Sequence, residues 1–164
     1  MEPLSNQSHQ IYYHNLLRAR HFNPAFYLTS SPDILLSEPE YQSGYHFLGW
    51  YDSPTGTNKI SQISHGSTGV IKLYARWEPV FYTLSYYAND STQCQAINVP
   101  NTARIREGDS ILISDCIPAR PGYRFLGWNT SPDGDGISWQ PGYYLRNLFD
   151  NLSLYCQWST CPSE

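Results

Sequence analysis

Aromatic rings are the side chains of this sequence best suited to binding a ligand, with 14 Tyr, 6 Phe and 5 Trp. Exposed rings can stack on sugars or anchor a protein interface. The candidates are Tyr74 and Tyr155, facing outward on predicted strands, and Tyr51, Trp139, Tyr143 and Tyr144, in predicted loops. We favour the alternative that rings fill a small core and the seam between two units, because apolar atoms make up more than half of an ordinary protein surface.

One acidic segment has a pattern similar to half of a calcium-binding loop. It runs from Ser131 to Gly136 and carries the carboxylates of Asp133 and Asp135. Calcium binds about six to eight oxygen atoms, and no Glu follows at the required spacing. The equivalent segment of the first half, Ser53 to Thr57, has no carboxylate. We therefore interpret both segments as plain turns.

The histidines and serines form no recognisable catalytic or metal-binding pattern. The five histidines are scattered, without a His-Glu-x-x-His motif or an i, i+4 pair. His46 is the one histidine in a repeated motif, and Arg124 takes its place in the second copy. The sequence also lacks a phosphate-binding Gly-x-x-x-x-Gly-Lys loop and a Gly-x-Ser-x-Gly nucleophile motif. We therefore predict no catalytic residue, no metal and no cofactor.

All four cysteines, Cys94, Cys116, Cys156 and Cys161, lie in the second half, without a Cys-x-x-Cys spacing. Cys156 aligns with Ala75 on a predicted inward face, which indicates a small buried apolar side chain. A disulfide between Cys94 and Cys116 is an alternative, and the sequence does not decide which cysteines are paired.

A motif written twice organises the chain: Gly-Tyr-x-Phe-Leu-Gly-Trp, then Ser-Pro-x-Gly after two residues. Side chains alternate along a strand, so its Tyr and Phe are predicted to face the core while the Trp falls on the solvent side. A bulge at the preceding glycine would turn the Trp inward. The structural residues of the motif are Gly44, Tyr45, Phe47, Gly49 and Trp50, and Gly122, Tyr123, Phe125, Gly127 and Trp128.

Each half closes with a clearly alternating strand, Ile71 to Trp77 and Leu152 to Trp158. The pattern places Leu73, Ala75 and Trp77 inward and Lys72, Tyr74 and Arg76 outward, which is typical of an antiparallel sheet with one solvated face. Each half opens with a short strand, Ile11 to Asn15 and Leu84 to Asn89, sharing Tyr-Tyr-x-Asn. The variable segments that follow could each hold a short helix, although neither has a strong 3.6-residue period.

Composition argues against two classes of function. The net charge is −4 and no basic cluster is present, whereas duplex nucleic acid requires phosphate neutralisation by Lys and Arg. No apolar run approaches the roughly 18 residues of a membrane span. The N-terminus lacks the basic and apolar regions of a signal peptide, so we expect either a cytosolic chain or an excised piece that carries a start methionine.

The two motifs, with Leu73-Tyr74-Ala75-Arg76-Trp77 and with Leu154-Tyr155 and Trp158, resemble the Listeria–Bacteroides repeat family, also called the internalin B-type B repeat. The resemblance covers about residues 10–158 as two tandem copies. It implies a small β-grasp-like (ubiquitin-like) fold around a short helix, in stalks of secreted or wall-attached bacterial proteins often linked to adhesion. The chain departs from the family's usual Asn-Gly-Gly turn at Asn15-Leu16-Leu17 and Asn89-Asp90-Ser91, and Cys156 replaces the usual alanine.

We therefore expect a mostly β or α+β chain of two tandem β-grasp-like domains with antiparallel or mixed sheets. The domains are residues 10–79 and 80–158, flanked by loose tails at 1–9 and 159–164 and joined by a short link that leaves little freedom. The expected function is a non-catalytic spacer or stalk module, with a role in adhesion, of a bacterial surface or secreted protein. The alternative is a module that binds carbohydrate or a host protein through exposed aromatics. Expected partners are neighbouring repeats, and a host-cell protein or glycan, without nucleic acid or membrane insertion.

Overall fold

The computed structural model describes residues 6–160, and all the regular secondary structure assigned there is β-strand. The chain divides into two compact units, Met1–Pro79 and Val80–Glu164. The strands of the first unit are β1 (Ser8–His14), β2 (Phe26–Leu28), β3 (Ile34–Leu35), β4 (Tyr45–Tyr51), β5 (Lys59–Ile60), β6 (Gln62–Ile63) and β7 (Ile71–Pro79). Those of the second are β8 (Phe81–Tyr87), β9 (Ala103–Arg106), β10 (Ile111–Leu112), β11 (Tyr123–Asn129), β12 (Ser138–Trp139), β13 (Tyr144–Leu145) and β14 (Leu152–Thr160). No helix in the described range could cross a membrane.

Each unit is built on a five-stranded mixed sheet, which confirms the predicted mostly β architecture. The first has the order β2-β1-β7-β4-β5, and the second has the equivalent order β9-β8-β14-β11-β12. The first and last long strands of each unit lie side by side and run parallel, β1 with β7 and β8 with β14. The other pairs in both sheets are antiparallel. A smaller two-stranded sheet accompanies each, β3 with β6 and β10 with β13.

The short helix implied by the family resemblance is absent from residues 6–160, so that expectation is wrong. The variable segments instead carry β2 and β9. Leu17, Arg18 and Asn98 have positive φ angles of 50°, 80° and 59°, which an α-helix does not tolerate. Pro24 and Pro100 also interrupt these segments, since proline lacks the N–H that a helix interior requires.

The predicted tails are shorter than expected because the outer long strands extend into them. Ser8 pairs with Leu28, so β1 begins inside the predicted tail 1–9. Thr160 pairs with Tyr123, so β14 continues into the predicted tail 159–164. Residues 1–5 and 161–164, including Cys161, lie outside the described residues.

The predicted glycine bulge is confirmed in both copies of the motif. The register between β4 and β7 shifts between Phe47 and Gly49, and the equivalent shift occurs between Phe125 and Gly127. The two glycines have φ angles of 136° and 134°, a conformation that residues with a Cβ rarely adopt. The extra residue turns the following Trp inward, and Trp50 is 2% and Trp128 0% exposed.

Aromatic residues of the motif and of the last strand pack around this buried Trp. Phe47 and Phe125 are half-buried and meet the Trp rings edge-on at 5.4 and 5.2 Å. Trp77 and Trp158 pack against the same Phe rings at 5.1 and 5.6 Å. The strand begins after Gly44 and Gly122, whose positive φ angles belong to the preceding turn. Tyr45 and Tyr123 are half-buried at the start of the strand and lie outside the core clusters that include Phe47 and Phe125, so the predicted core position of the motif Tyr is wrong.

An asparagine after the first strand ties each unit together, which the sequence pattern did not reveal. Asn15 and Asn89 have φ angles of 59° and 50°, and Asn tolerates this left-handed conformation. Their side-chain amides donate to the carbonyls of Ala75 and Cys156 at 2.9 Å. These asparagines thus provide a positive-φ residue where the family usually has Asn-Gly-Gly.

At the same junction, the Tyr-Tyr-x-Asn segments of the two units are equivalent in sequence, but their residues do not occupy equivalent positions in the two sheets. Tyr13 and Tyr86 are the structural equivalents, because each meets its Trp edge-on, at 5.2 and 4.8 Å. The indole of Trp77 donates to the carbonyl of Asn15, whereas that of Trp158 donates to Ala88. The second unit therefore has one extra residue at this junction.

Burial raises the pKa of Tyr13 to about 12.

Candidate functional site

The candidate site is the outer face of each main sheet, where the outward side chains of three adjacent strands form a row. In the first unit His14 of β1 lies opposite Tyr74 of β7, and Tyr51 of β4 lies opposite Tyr74 on its other side. The rings of His14 and Tyr74 are stacked, with centroids 4.8 Å apart and planes at 20°. Tyr74 faces outward as predicted, and it is half-buried, with the His14 ring stacked on one of its faces.

An arginine extends this row and also holds the motif turn. The guanidinium of Arg76 lies 4.0 Å from the ring centre of Tyr51, in cation–π contact. The same group donates to the carbonyls of Ser53 and Gly56. Arg76 therefore fixes the Ser-Pro-x-Gly turn, and its charge lies beside the aromatic row.

The second unit keeps the ring stack but replaces the arginine. Tyr155 stacks on Tyr87 with centroids 4.9 Å apart and planes at 18°. Gln157 takes the place of Arg76, and its amide donates to the carbonyl of Ser131 at 3.1 Å. Asn129 takes the place of Tyr51 but is fully buried. The two units thus share the turn-holding hydrogen bond, while the cation at this position belongs to the first unit.

The turns after the two motifs close differently. In the second copy the N–H of Gly134 donates to the carbonyl of Ser131 at 3.2 Å, and Gly134 has a φ of 88°. In the first copy the N–H of Gly56 donates to the hydroxyl of Ser53 at 2.8 Å, and Gly56 does not have the predicted positive φ. The glycine therefore supplies a left-handed residue only in the second copy.

The carboxylate of Asp133 binds within its own turn. It accepts hydrogen bonds from the hydroxyl of Ser131 and the N–H of Asp135. These bonds hold the pKa of Asp133 below its usual value, the Ser131 bond being the larger cause. Within residues 6–160 no group of three or more His, Cys, Asp and Glu side chains is placed to hold a metal ion.

The remaining aromatic candidates do not join the outer row. Trp139 lies in β12 opposite Trp128 and packs against the core of the second unit. Tyr144 is in β13, and Tyr143 precedes it; they are 55% and 51% exposed. The prediction that Tyr51, Trp139 and Tyr144 lie in loops is wrong, because each pairs with a neighbouring strand.

The three described cysteines, Cys94, Cys116 and Cys156, are free thiols. Cys156 is fully buried, as is Ala75 at the equivalent position, which confirms the predicted small apolar role. The thiols of Cys94 and Cys116 contact the carbonyls of Pro121 and Asn98 at 3.1 and 3.2 Å, and they do not form the alternative disulfide.

Cys156 is expected to resist alkylation in the folded chain. Burial, with a smaller effect of Asp90, raises the pKa of its thiol to about 12, so the reactive thiolate is scarce below that pH. Iodoacetamide at pH 8, followed by peptide mapping, should label the half-buried Cys94 and Cys116 first. Labelling of Cys156 should require denaturant, and equal labelling of all three without denaturant would contradict the buried position.

These features define a protein of two small β-repeats, each with the same bulged aromatic strand and the same Trp-bearing last strand. The sequence profile of the Listeria-Bacteroides repeat domain matches residues 28–76 and 82–156. The chain belongs to the Listeria-Bacteroides repeat family and contains two tandem copies.

The chain is similar to longer bacterial proteins. It is 31% identical over 123 residues to an Evansella cellulosilytica protein whose name describes a membrane protein, covering 74% of this chain and 18% of that protein. It is 27% identical over 135 residues to Internalin H of Listeria monocytogenes, covering 80% of this chain and 23% of that protein. The chain thus spans less than a quarter of the length of these relatives. No solved structure shows significant similarity to the chain.

Proposed function

We propose that the chain is a non-catalytic spacer module of a bacterial surface or secreted protein, and that its units resist tension along the chain. The names of the relatives, a membrane protein and Internalin H, support a surface location. The observation that carries the mechanical role is the parallel pairing of the first and last long strands in both units.

Parallel end strands determine how a pulling force acts on a unit. When the chain is pulled at both ends, β1 and β7 are drawn in opposite directions along their length. The hydrogen bonds from Ile11–Ile71 to His14–Tyr74 are then loaded together in shear. They must break nearly at once, whereas antiparallel end strands would open one bond at a time. The same arrangement joins Leu84–Leu152 through Tyr87–Tyr155.

Proline in the first strand should weaken a unit mechanically. Tyr12→Pro and Ser85→Pro each remove a backbone N–H from the parallel pairing of one unit. In single-molecule force spectroscopy of the intact chain, each variant should lower the unfolding force of its own unit and leave the other unit unchanged. The wild-type chain should show two separate unfolding events.

Ile63→Ala is a matched control because Ile63 is buried in β6, outside the β1–β7 pair. It should lower equilibrium stability by about 2–5 kcal/mol with a smaller effect on unfolding force than Tyr12→Pro. If the two variants reduce the force in proportion to their loss of equilibrium stability, the parallel pair is not the mechanical element and the proposal fails.

A further inference from the structure

The outer face of the first unit carries a row of aromatic side chains, called here the platform. Its centre is the row His14, Tyr74 and Tyr51 across β1, β7 and β4. Tyr12 adds a ring, 42% exposed and 6.5 Å from the His14 ring with planes at 26°. Since adjacent strands are about 4.8 Å apart, the row extends roughly 10 Å. The stacked His14 and Tyr74 rings cover each other's faces, so the exposed Tyr12 ring beside them is the one that can accept the apolar C–H face of a sugar, because an aromatic face is electron-rich.

Positive charge is concentrated on this same face. The chain has two lysines, Lys59 and Lys72, and both are exposed here. Lys72 lies opposite Tyr12, and Lys59 lies opposite Tyr51 and crosses above Gly49. Arg76 adds a third cation over the Tyr51 ring. This cluster contrasts with the whole chain, whose net charge is −4.

Carboxylates lie near both lysines: Glu38 lines the same cavity as Lys59, and Asp52 lines the same cavity as Lys72. The carboxylate of Asp52 accepts a hydrogen bond from the side-chain amide of Asn58 at 2.7 Å. Glu78 lies opposite His46, near the far end of β4. The three cations Lys59, Lys72 and Arg76 thus outnumber the two carboxylates that share cavities with the lysines.

The second unit is an internal comparison, since it has the same fold without these three cations. Ser153 stands in place of Lys72, Ser138 in place of Lys59 and Gln157 in place of Arg76. Tyr155 and Tyr87 still stack, so the ring pair does not depend on the charges. The stacked ring pair is thus common to both units, whereas the three cations belong to the first unit.

We propose that this face of the first unit binds an acidic polysaccharide, a chain of sugar rings that bear carboxylates. The exposed Tyr12 ring would stack on a sugar face, next to the His14–Tyr74 pair. Lys72 and Lys59 would pair with the carboxylates by charge-assisted hydrogen bonds. An acidic peptide would pair with the cations but would have no sugar ring to stack on the aromatic side chain. A neutral glycan could stack on it but would not pair with the cations. This site does not depend on the mechanical role, because its failure would leave the force measurements unchanged.

The test is calorimetric titration of the intact chain with an oligogalacturonate at low salt. We expect one binding site per chain, with affinity that falls as salt screens the charges. Lys72→Ser and Lys59→Ser introduce the residues that the second unit has at those positions, and each should weaken binding about tenfold. Tyr12→Ser, which copies Ser85 of the second unit, should also weaken binding. Arg146→Ser is the matched control because it removes an exposed cation of the second unit, and it should bind like the unsubstituted chain.

Two further ligands distinguish this proposal from simpler ones. A neutral cello-oligosaccharide of the same length should bind at least about tenfold more weakly than the oligogalacturonate. Polyglutamate, which has carboxylates but no sugar rings, should also bind more weakly. The proposal is overturned if the folded chain does not bind oligogalacturonate, if polyglutamate binds as tightly, or if Arg146→Ser weakens binding as much as Lys72→Ser. A melting curve for each variant confirms that the comparison uses folded protein.

Discussion

Replacing Trp50 or Trp128 by alanine is expected to lower the free energy of unfolding of its own unit by about 3–5 kcal/mol. Each indole is almost completely buried and contacts the Phe of its motif and a Tyr of the first strand. Truncation leaves a cavity at the centre of a small core, which cannot collapse without disturbing the bulge. Urea unfolding of the intact chain, with hydrogen exchange followed by peptide, would assign the loss to one unit.

Phenylalanine at the same two positions distinguishes the contribution of the aromatic ring to stability from that of the indole N–H. The indole N–H of Trp50 donates to the carbonyl of Ser37 at 2.9 Å, whereas that of Trp128 is buried without an acceptor among the described residues. Trp50→Phe should therefore cost about 1 kcal/mol more than Trp128→Phe. Unchanged unfolding of either alanine variant would show that its Trp does not support the core.

Alanine at the bulge glycines is expected to destabilise each unit through backbone strain. Gly49→Ala and Gly127→Ala place a Cβ on residues with φ of 136° and 134°, a strain of about 1–3 kcal/mol. Gly127→Ala should cost more, because its Cβ would lie 3.1 Å from the backbone carbonyl of Trp139. At Gly49 the added Cβ would meet the side chain of Lys59, which can move aside.

The unfolding midpoints of the two glycine variants provide the measurement. Lys59→Ala combined with Gly49→Ala serves as the control, since removal of the lysine should relieve the crowding and leave only the backbone strain. If Gly127→Ala unfolds at the wild-type midpoint, the bulge tolerates a Cβ and the positive φ is not required.

Apart from the core position of the motif Tyr, the sequence predicted the features that depend on local alternation, and it missed those that depend on long-range register. The bulge was predictable because Trp50 and Trp128 fall on the wrong face of an otherwise regular strand. The contact between Tyr74 and His14 was not predictable, because it requires the parallel alignment of two strands that lie far apart in the chain.

Two further features could not be predicted from sequence patterns, for different reasons. The segment after β1 has no helix because Leu17 and Arg18 adopt positive φ, and nothing in those residue types indicates it. The common role of Arg76 and Gln157 was hidden because one is charged and the other neutral. Their shared property is a side-chain N–H that reaches the carbonyl of the turn serine.

The position of the last strand in the sheet determines when each unit can fold during synthesis. β7 lies between β1 and β4, and β14 lies between β8 and β11, so each sheet lacks its central strand until the final residues of the unit emerge. A chain leaving a ribosome or an export channel from its N-terminus would therefore keep unit one open until Pro79 is free, and then close it in one step. This strand order delays the folding of each repeat until its last strand has emerged, so a partly synthesised unit stays extended while the preceding unit is already complete.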